Sequence, residues 1–488
     1  MTYSYHIFYF PFKWGINGTE IKSFSEQVCL DQIHYCNSTW KRVQSPTSEK
    51  EKQDLYNEKN YYYQFVHGIL YDEVKNSTGL VRHFERIEPQ ISAVYYVLKV
   101  KDREAPYKLL LEAINVNLYA TGVGLMSFYV RNEEESQSSP EDILRINQYG
   151  RRILPPFYGD ISFRGEISEY ICIDGLRIGK EYKEDFNAYT VYDSWRSASF
   201  ITELLHELSD NICIEPVIDD RMFVASWYKN DELAKQFTCN PVAYKDSQNC
   251  FSSFWYKYLF VDNSGFETCQ DDEMKEQLLE KHTYVRWRKL SSLYGISRYS
   301  MVYLTNCDVP SYLLDYFQTI YARMIELVLV QRASMLRFSG EVMKVSNLSS
   351  DEMHVVSNRI SSLYREYIRF LNQIYFREVT AQDQGVELYT MLQSCLKMEE
   401  YIKDLDGEIG ELHEYVSLKE DRVRNVKASI LNNIATLFLP ITVITGFWGM
   451  NTYTAVITDN DGLLLQSVLL LIGLIGALIV IYNRKRKL

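Results

Sequence analysis

The feature that most constrains the fold is an uncharged apolar segment near the C-terminus. Residues 463–482 contain no charged side chain and consist mostly of leucine and isoleucine. Because a helix rises 1.5 Å per residue, this segment is about 30 Å long, which matches the hydrocarbon thickness of a bilayer. The residues that follow, 483–487, are almost all cationic and predict a cytosolic C-terminal end under the positive-inside rule. The sequence therefore predicts a membrane-anchored chain.

A second uncharged segment precedes the first. Residues 428–449 are apolar but are diluted by Pro440, three threonines and two asparagines, and three cations stand just before them (Arg422, Arg424 and Lys427). With cations at both cytosolic flanks and a short polar linker between the segments, we predict a membrane hairpin. The alternative is one span together with one buried helix.

Polar and small residues in the upstream segment recur at helical spacing. Steps of three and four residues place one set on a single helix face, namely Asn425, Ala428, Leu431/Asn432, Ala435, Leu439, Thr442, Gly446 and Gly449. Such a stripe requires a water-filled interior or polar neighbours, because unpartnered amides are costly in lipid. Several copies around an axis would line a pore with uncharged oxygen donors. A hard cation such as Mg²⁺, which retains its water shell, suits that lining.

The end of this stripe carries a recognisable motif. Residues 447–451 are Phe-Trp-Gly-Met-Asn, and the run before them, residues 434–446, is apolar with interspersed threonines. With two spans and a basic C-terminal tail, this arrangement resembles the CorA-type magnesium transporter family, whose signature is Gly-Met-Asn. The resemblance covers about the last hundred residues.

The resemblance implies a funnel-shaped homopentamer, multi-pass in the inner (cytoplasmic) membrane, with both termini cytosolic. Its implied partners are the lipid bilayer and divalent cations, with Mg²⁺ transported or regulatory. The implied residue roles are a selectivity ring of Gly449, Met450 and Asn451, polar pore positions Thr442 and Gly446, a cytosolic mouth at Asn425, and hydrophobic gates at Leu431 and Leu439. Ala428 departs from the bulkier residue expected beside the gate.

The chain is divided accordingly. We predict an α/β cytosolic regulatory domain at 1–305, a helical stalk at 306–428, a pore-lining span at 429–450, an external loop at 451–462, a second span at 463–482 and a basic tail at 483–488. In the N-terminal domain we predict strands at 4–10, 91–100, 109–118 and 124–130, helices at 202–209 and 273–282, and charged loops at 48–54 and 131–142. In the stalk we predict helices at 310–345 and 350–377, and a third that runs unbroken from residue 381 into the first span.

The start of that third helix is strongly acidic. This part of the sequence contains seven acidic residues and one lysine; the acidic residues are Glu399, Glu400, Asp404, Asp406, Glu408, Glu411 and Glu414. In the CorA family, cytosolic carboxylates between subunits bind Mg²⁺ and hold the channel shut, so the resemblance implies a divalent-cation sensor. The alternative is the solvated outer face of a helical stalk.

Charge narrows the classes of function open to the N-terminal domain. The total of −12 divides into +5 after residue 421 and therefore −17 before it, which argues against direct nucleic-acid binding. No enzyme motif occurs at residues 1–305, so no catalytic residue is predicted. Two basic-aromatic patches, Arg151 with Arg152 and Arg286 with Arg288, are candidates for an anionic, base-bearing ligand. Ordinary surface salt bridges are the alternative.

The size of this domain bears on function. Some CorA-like proteins with enlarged cytosolic domains resemble effectors of type III CRISPR antiviral defence, opened by a nucleotide second messenger. The segment Phe10–Trp14 and the overall length are compatible with that subgroup. The main hypothesis is thus a ligand-gated CorA-like cation channel. The alternatives are a housekeeping Mg²⁺/Co²⁺ transporter regulated by cytosolic Mg²⁺ and a non-conducting membrane-anchored binding protein.

Overall fold

The computed structural model describes most of the chain outside the C-terminal membrane segment. The described residues are 2–16, 30, 33–43, 49–72, 79–87, 93–101, 103–154, 168–187, 197–217, 221–262, 267–346, 353–449, 468, 471–473 and 475–476. Most of the predicted second span, the external loop and the basic tail therefore lie outside the described residues.

The described strands and helices alternate along the N-terminal three hundred residues and become purely helical after them. The strands are β1 (Ser4–Ile16), β2 (Trp40–Arg42), β3 (Val81–Arg86), β4 (Tyr95–Val100), β5 (Tyr107–Tyr119), β6 (Val123–Asn132), β7 (Ser168–Arg177), β8 (Lys180–Asp185), β9 (Ile212–Pro216), β10 (Phe223–Lys229), β11 (Thr283–Tyr284), β12 (Ser292–Ile296) and β13 (Ser300–Thr305). The helices are α1 (Glu49–Tyr61), α2 (His67–Leu70), α3 (Pro140–Gly150), α4 (Ser199–Leu208), α5 (Asp231–Cys239), α6 (Cys250–Phe260), α7 (Asp272–His282), α8 (Tyr312–Tyr316), α9 (Ala322–Ser346), α10 (Met353–Gln373), α11 (Asp383–Cys395) and α12 (Met398–Gly449).

The strands form one mixed sheet. Its main path runs β11-β12-β13-β10-β1-β6-β5-β4-β7-β8, with β9 paired to the end of β1, and β3 paired to both β5 and β2. The pairs are antiparallel except β10–β13, which is parallel. The long hairpin β5–β6 turns at Gly122, whose φ of +68° lies in the left-handed region that glycine tolerates.

Strand β1 shows why both faces of the sheet are covered. Successive side chains point to opposite faces, and every residue from Ser4 to Phe12 is buried. Phe8, Phe10 and Phe12 join the core that includes α3, α4 and α6. Ile7 and Tyr9 join a second core that includes α9, α10 and α11. The sheet is therefore a central layer between two helical layers.

The helices α8 to α11 belong with the sheet. A π-helical turn, Phe317–Tyr321, joins α8 to α9, so residues 312–346 are helical throughout. The chain divides into two compact units, Met1–Ile409 and Gly410–Leu488. The first unit thus contains the sheet, α1 to α11 and the start of α12.

The prediction of an α/β sheet domain followed by long helices is confirmed, as are the four predicted strands and two predicted helices, with shifted ends. The charged loop predicted at 48–54 was wrong, and the one predicted at 131–142 is confirmed only for the connection at 133–139. Residues 49–61 form α1, and 131–142 contain the end of β6 and the start of α3, whose first turn is capped by the Ser139 hydroxyl accepting from the Asp142 amide at 3.1 Å. Charged residues such as Glu and Lys are good helix formers. The loop predictions were based on charge alone and did not include helix propensity.

The unbroken third stalk helix was also wrong. The helical path is interrupted at Leu396 and Lys397, and Lys397 has a φ of +54°. The observed helices are α11, of 13 residues, and α12, of 52 residues. The helical spacing of apolar residues continues across the interruption, so the sequence pattern does not predict it. A tertiary contact, described below, stabilises the broken conformation.

Candidate functional site

Helix α12 carries the predicted pore residues. Its apolar part is long and apolar enough to cross a membrane by length and composition: the best eighteen-residue window has a mean hydropathy of 1.4, and none of that window is buried. Large apolar side chains along it are each about half exposed or more, including Ile430, Ile434, Phe438 and Val443. Such a surface needs lipid or another chain to cover it.

The structure places the predicted pore positions on this one helix. Asn425, Leu431, Leu439 and Thr442 have exposed side chains, and Gly446 has open space where a Cβ would lie. Gly449 is the last residue of α12. Met450 and Asn451 lie outside the described residues.

The hydroxyl groups of α12 are satisfied within the helix. Thr436 donates to the Asn432 carbonyl at 2.7 Å, and Thr442 donates to the Phe438 and Leu439 carbonyls at 3.0 and 2.9 Å. This back-bonding lowers the cost of placing a hydroxyl among lipid tails. In addition, Pro440 has no amide hydrogen, so the carbonyl one turn earlier lacks its usual helical donor. The helix therefore combines an apolar surface with main-chain oxygen available for a polar neighbour.

The seven acidic residues of the predicted sensor lie on the first turns of α12. Glu399, Glu400, Asp404, Asp406, Glu408, Glu411 and Glu414 are all exposed, whereas Leu405 and Ile409 between them are buried. Within the described part of one chain, no group of three or more His, Cys, Asp or Glu side chains is placed to hold a metal ion. Cation binding by this stretch thus stays a prediction that would need a second subunit.

The second basic patch is already neutralised within the chain. Arg286 donates to Glu387 at 2.6 Å and lies 3.5 Å from Asp383. Glu387 also accepts from the Tyr284 hydroxyl, and these two donors lower the pKa of the Glu387 carboxyl. Arg288 donates to a main-chain carbonyl at 2.7 Å. For Arg286 the structure favours the salt-bridge alternative, whereas the described contact of Arg288 is with a main-chain carbonyl.

A cavity of about 860 Å³ opens beside Arg286. Its lining is dominated by aromatic side chains, among them Trp287, Tyr294 and Tyr321, together with Gln384 from the first turn of α11. Gln384 donates to the Tyr321 hydroxyl at 2.7 Å and accepts from Trp287 at 2.7 Å. This chemistry suits an apolar or aromatic group more than a phosphate.

The first basic patch has different surroundings. Arg151 and Arg152 are 1% and 7% exposed, at the end of α3. Arg151 lies with Arg221 and Arg298 around Tyr299 in a separate cavity of about 250 Å³. Sequence reasoning missed the last three residues, although Arg298-Tyr299 is a basic-aromatic pair of the same kind. The structure thus extends one predicted patch.

A buried arginine holds the break between α11 and α12, here called the α11–α12 joint (residues 396–397). Arg332 of α9 is 3% exposed and donates to the Leu396 carbonyl at 2.6 Å. Its guanidinium carbon lies 5.0 Å from the centre of the Tyr401 ring, on the first turn of α12. Burial lowers the pKa of Arg332. One side chain therefore contacts both helices that meet at the joint.

The comparison with known families concerns the C-terminal part of the chain. Residues 296–485 match the family model described as CorA-like Mg²⁺ transporter protein. The match includes β13 and all helices from α8 to α12, and it leaves residues 1–295 outside. No curated protein matches the chain. The C-terminal part of the chain, residues 296–485, is therefore similar to a CorA-like Mg²⁺ transporter domain.

Proposed function

We propose that the protein is a homopentameric membrane channel for divalent cations, gated by its enlarged N-terminal unit. The observation that carries this proposal is the match of residues 296–485 to the CorA-like Mg²⁺ transporter model. The exposed apolar surface of α12, with its satisfied threonine hydroxyls, is what a membrane-spanning pore helix requires.

In this proposal, Asn451 with Gly449 and Met450 forms the outer selectivity ring, and residues 463–482 form the lipid-facing second span. Five copies of α12 would place the polar stripe around a common axis. Mg²⁺ would pass with its inner water shell, recognised by amide and hydroxyl oxygens rather than by carboxylates. In this proposal the protein lies in the inner membrane with both chain ends in the cytosol, which the cationic flanks of the two spans support.

The test of the channel is Mg²⁺ flux in proteoliposomes that contain the full chain. Wild type should conduct under some condition of cytosolic Mg²⁺ or ligand, and Asn451→Ala should reduce flux at least tenfold while the oligomer remains intact by size-exclusion chromatography. Asn460→Ala, in the same predicted external loop, is the matched control and should conduct normally. Absence of flux from wild type under every condition would favour a non-conducting membrane-anchored binding protein.

A second part of the proposal concerns which ligand regulates the channel. The enlarged N-terminal unit supports regulation by a ligand, and a nucleotide second messenger of type III CRISPR defence is the version that the sequence resemblance suggests. The alternative is a housekeeping Mg²⁺/Co²⁺ transporter, in which the acidic residues of α12 bind cytosolic Mg²⁺ between subunits. CRISPR genes beside the coding sequence would favour the effector. Growth rescue of cells that lack magnesium uptake would favour the housekeeping transporter.

A further inference from the structure

We propose that the arginines around Tyr299 form a binding site for a phosphate-bearing small molecule, and that its occupancy regulates the α11–α12 joint. The binding site stands on its own geometry. The regulatory consequence rests on the proposed channel function.

The site is a small cavity with several guanidinium groups. The cavity of about 250 Å³ is lined by Arg151, Arg221 and Arg298, with Tyr299 between them. The guanidinium carbons of Arg151 and Arg221 lie 5.4 and 5.1 Å from the centre of the Tyr299 ring. Both groups therefore stack on one ring, which orients planar donors that suit phosphate oxygens.

The charge of this lining points to an anion. The described residues that line the cavity include three arginines and no carboxylate. Burial lowers the pKa of a fourth arginine, Arg332, and the nearby positive charge of Arg298 lowers it further. The positive charges of neighbouring arginines repel one another. A multivalent anion with several acceptor oxygens attracts all of them and so makes the electrostatic energy of the cluster favourable.

The site is built rather than incidental. Arg151 is 1% exposed and donates to the Val261 carbonyl at 3.3 Å and to Gln148 at 3.2 Å. Its own carbonyl accepts from the Met222 amide at 2.7 Å, which ties the end of α3 to the strand that follows Arg221. The guanidinium is thus held before any ligand arrives, and less ordering entropy is lost on binding.

The size of the cavity limits the ligand. Pockets that enclose a drug-sized ligand are roughly 300–1,000 Å³, and this cavity is smaller. It therefore suits a phosphate or pyrophosphate group, with any attached organic group extending outside. The shared chemistry is a phosphate ester or anhydride.

The cavity also reaches the α11–α12 joint. Leu396 lines it, and the carbonyl of Leu396 is the acceptor for Arg332. An anion beside Arg298 attracts Arg332 as well, and so competes with the contact that holds the joint. Since α12 continues without a break to Gly449, a change at the joint alters the start of the proposed pore helix.

The test is isothermal titration calorimetry of the purified full chain in detergent, without Mg²⁺, against pyrophosphate, AMP and inorganic phosphate. Wild type is expected to bind pyrophosphate or AMP, and Arg298→Gln should weaken binding at least tenfold. Arg298 is exposed, so this change removes a charge without opening the core. Arg286→Gln is the matched control, since it also removes an exposed arginine but one outside this cavity, and it should change affinity less than twofold.

One further variant, one change of salt concentration and one comparison of ligands sharpen the result. Arg298→Lys should bind more weakly than wild type but more tightly than Arg298→Gln, because it retains the charge and loses the planar fork. Raising the salt concentration should weaken binding of wild type. AMP binding more tightly than inorganic phosphate would show that the attached group contributes.

The site is overturned if none of the three anions binds at millimolar concentration, or if Arg286→Gln weakens binding as much as Arg298→Gln. Proteoliposome flux then tests the consequence separately. Binding that is lost in Arg298→Gln, together with Mg²⁺ flux that does not respond to the ligand in wild type, would overturn the regulatory role while leaving the site in place.

Discussion

Replacing Arg332 with glutamine tests whether the α11–α12 joint is held by one buried side chain. In the native protein the guanidinium donates to the Leu396 carbonyl at 2.6 Å and lies 5.0 Å from the centre of the Tyr401 ring. Glutamine is shorter and uncharged, so it loses the stacking and cannot reach the carbonyl in the same geometry. The carbonyl at the end of α11 is then left without its donor.

The size of the effect follows from these contacts. A hydrogen bond from a charged donor contributes about 1.5–3 kcal/mol, and the cation–π contact adds about 0.5–1 kcal/mol. Part of this is offset because the variant no longer buries a charge, a cost visible in the lowered pKa of Arg332. We expect a net loss of about 2 kcal/mol in the local stability of the joint. At 1.4 kcal/mol per factor of ten, this is about a thirty-fold increase in local opening.

Hydrogen exchange measured by mass spectrometry on the full chain reports this opening. The amides of Leu396 and Lys397 donate to carbonyls at the end of α11, and the Tyr401 amide donates to the Lys397 carbonyl at the start of α12. All three should exchange about thirty-fold faster in Arg332→Gln. Arg337→Gln is the control, because Arg337 lies on the same helix, is 2% exposed and donates to the Thr121 carbonyl at 2.8 Å. Unchanged exchange at the joint, or equal acceleration in both variants, would refute this account.

Two other predictions concern the stability of the N-terminal unit. Burial lowers the pKa of both His6 and His83 from 6.5 to about 4. As the pH falls, these histidines are therefore protonated in the unfolded state before they are protonated in the folded state. The free energy of unfolding should be at its full value above pH 6.5 and fall by about 3 kcal/mol per histidine towards pH 4. Circular-dichroism melts should show this loss, and a midpoint that does not move between pH 7 and 4.5 would contradict it. In a glycine pair, Gly124→Ala should destabilise the unit by about 1–3 kcal/mol, because the added Cβ would overlap the Phe12 ring. Gly340→Ala, in the open on α9, should stabilise it by about 0.5–1 kcal/mol; the opposite order of melting temperatures would show that the packing around Gly124 is misassigned.

The elements that sequence predicted well are those encoded by consecutive residues. The four predicted strands, α9 and α10 follow from local periodicity and composition, and the apolar stretch of α12 follows from its lack of charge. The motif at residues 447–451 pointed to the family whose model matches residues 296–485. Its assigned pore roles remain predictions, since Met450 and Asn451 lie outside the described residues.

The candidate site in the N-terminal unit was predictable only in part. The same pattern of arginines beside aromatic residues marked two patches, and the pattern could not distinguish them. Arg286 is neutralised by Glu387, about a hundred residues later in the chain. Arg151 lines the same cavity as Arg298, and these two residues are even further apart in the sequence. No local pattern records which distant strand or helix will supply the neighbour.

By itself, then, the sequence determined the apolar stretch of α12. It also predicted the second membrane segment, the orientation of both segments and the polar face of α12, because each depends on hydrophobicity and charge at nearby positions. The tertiary structure decided where the stalk helix breaks and which arginines gather around Tyr299. Both depend on residues far apart in the chain that the fold brings together. Arg332 of α9 donates to the Leu396 carbonyl at the end of α11, and the parallel pairing of β10 with β13 fixes the relative positions of the segments that contain Arg221 and Arg298.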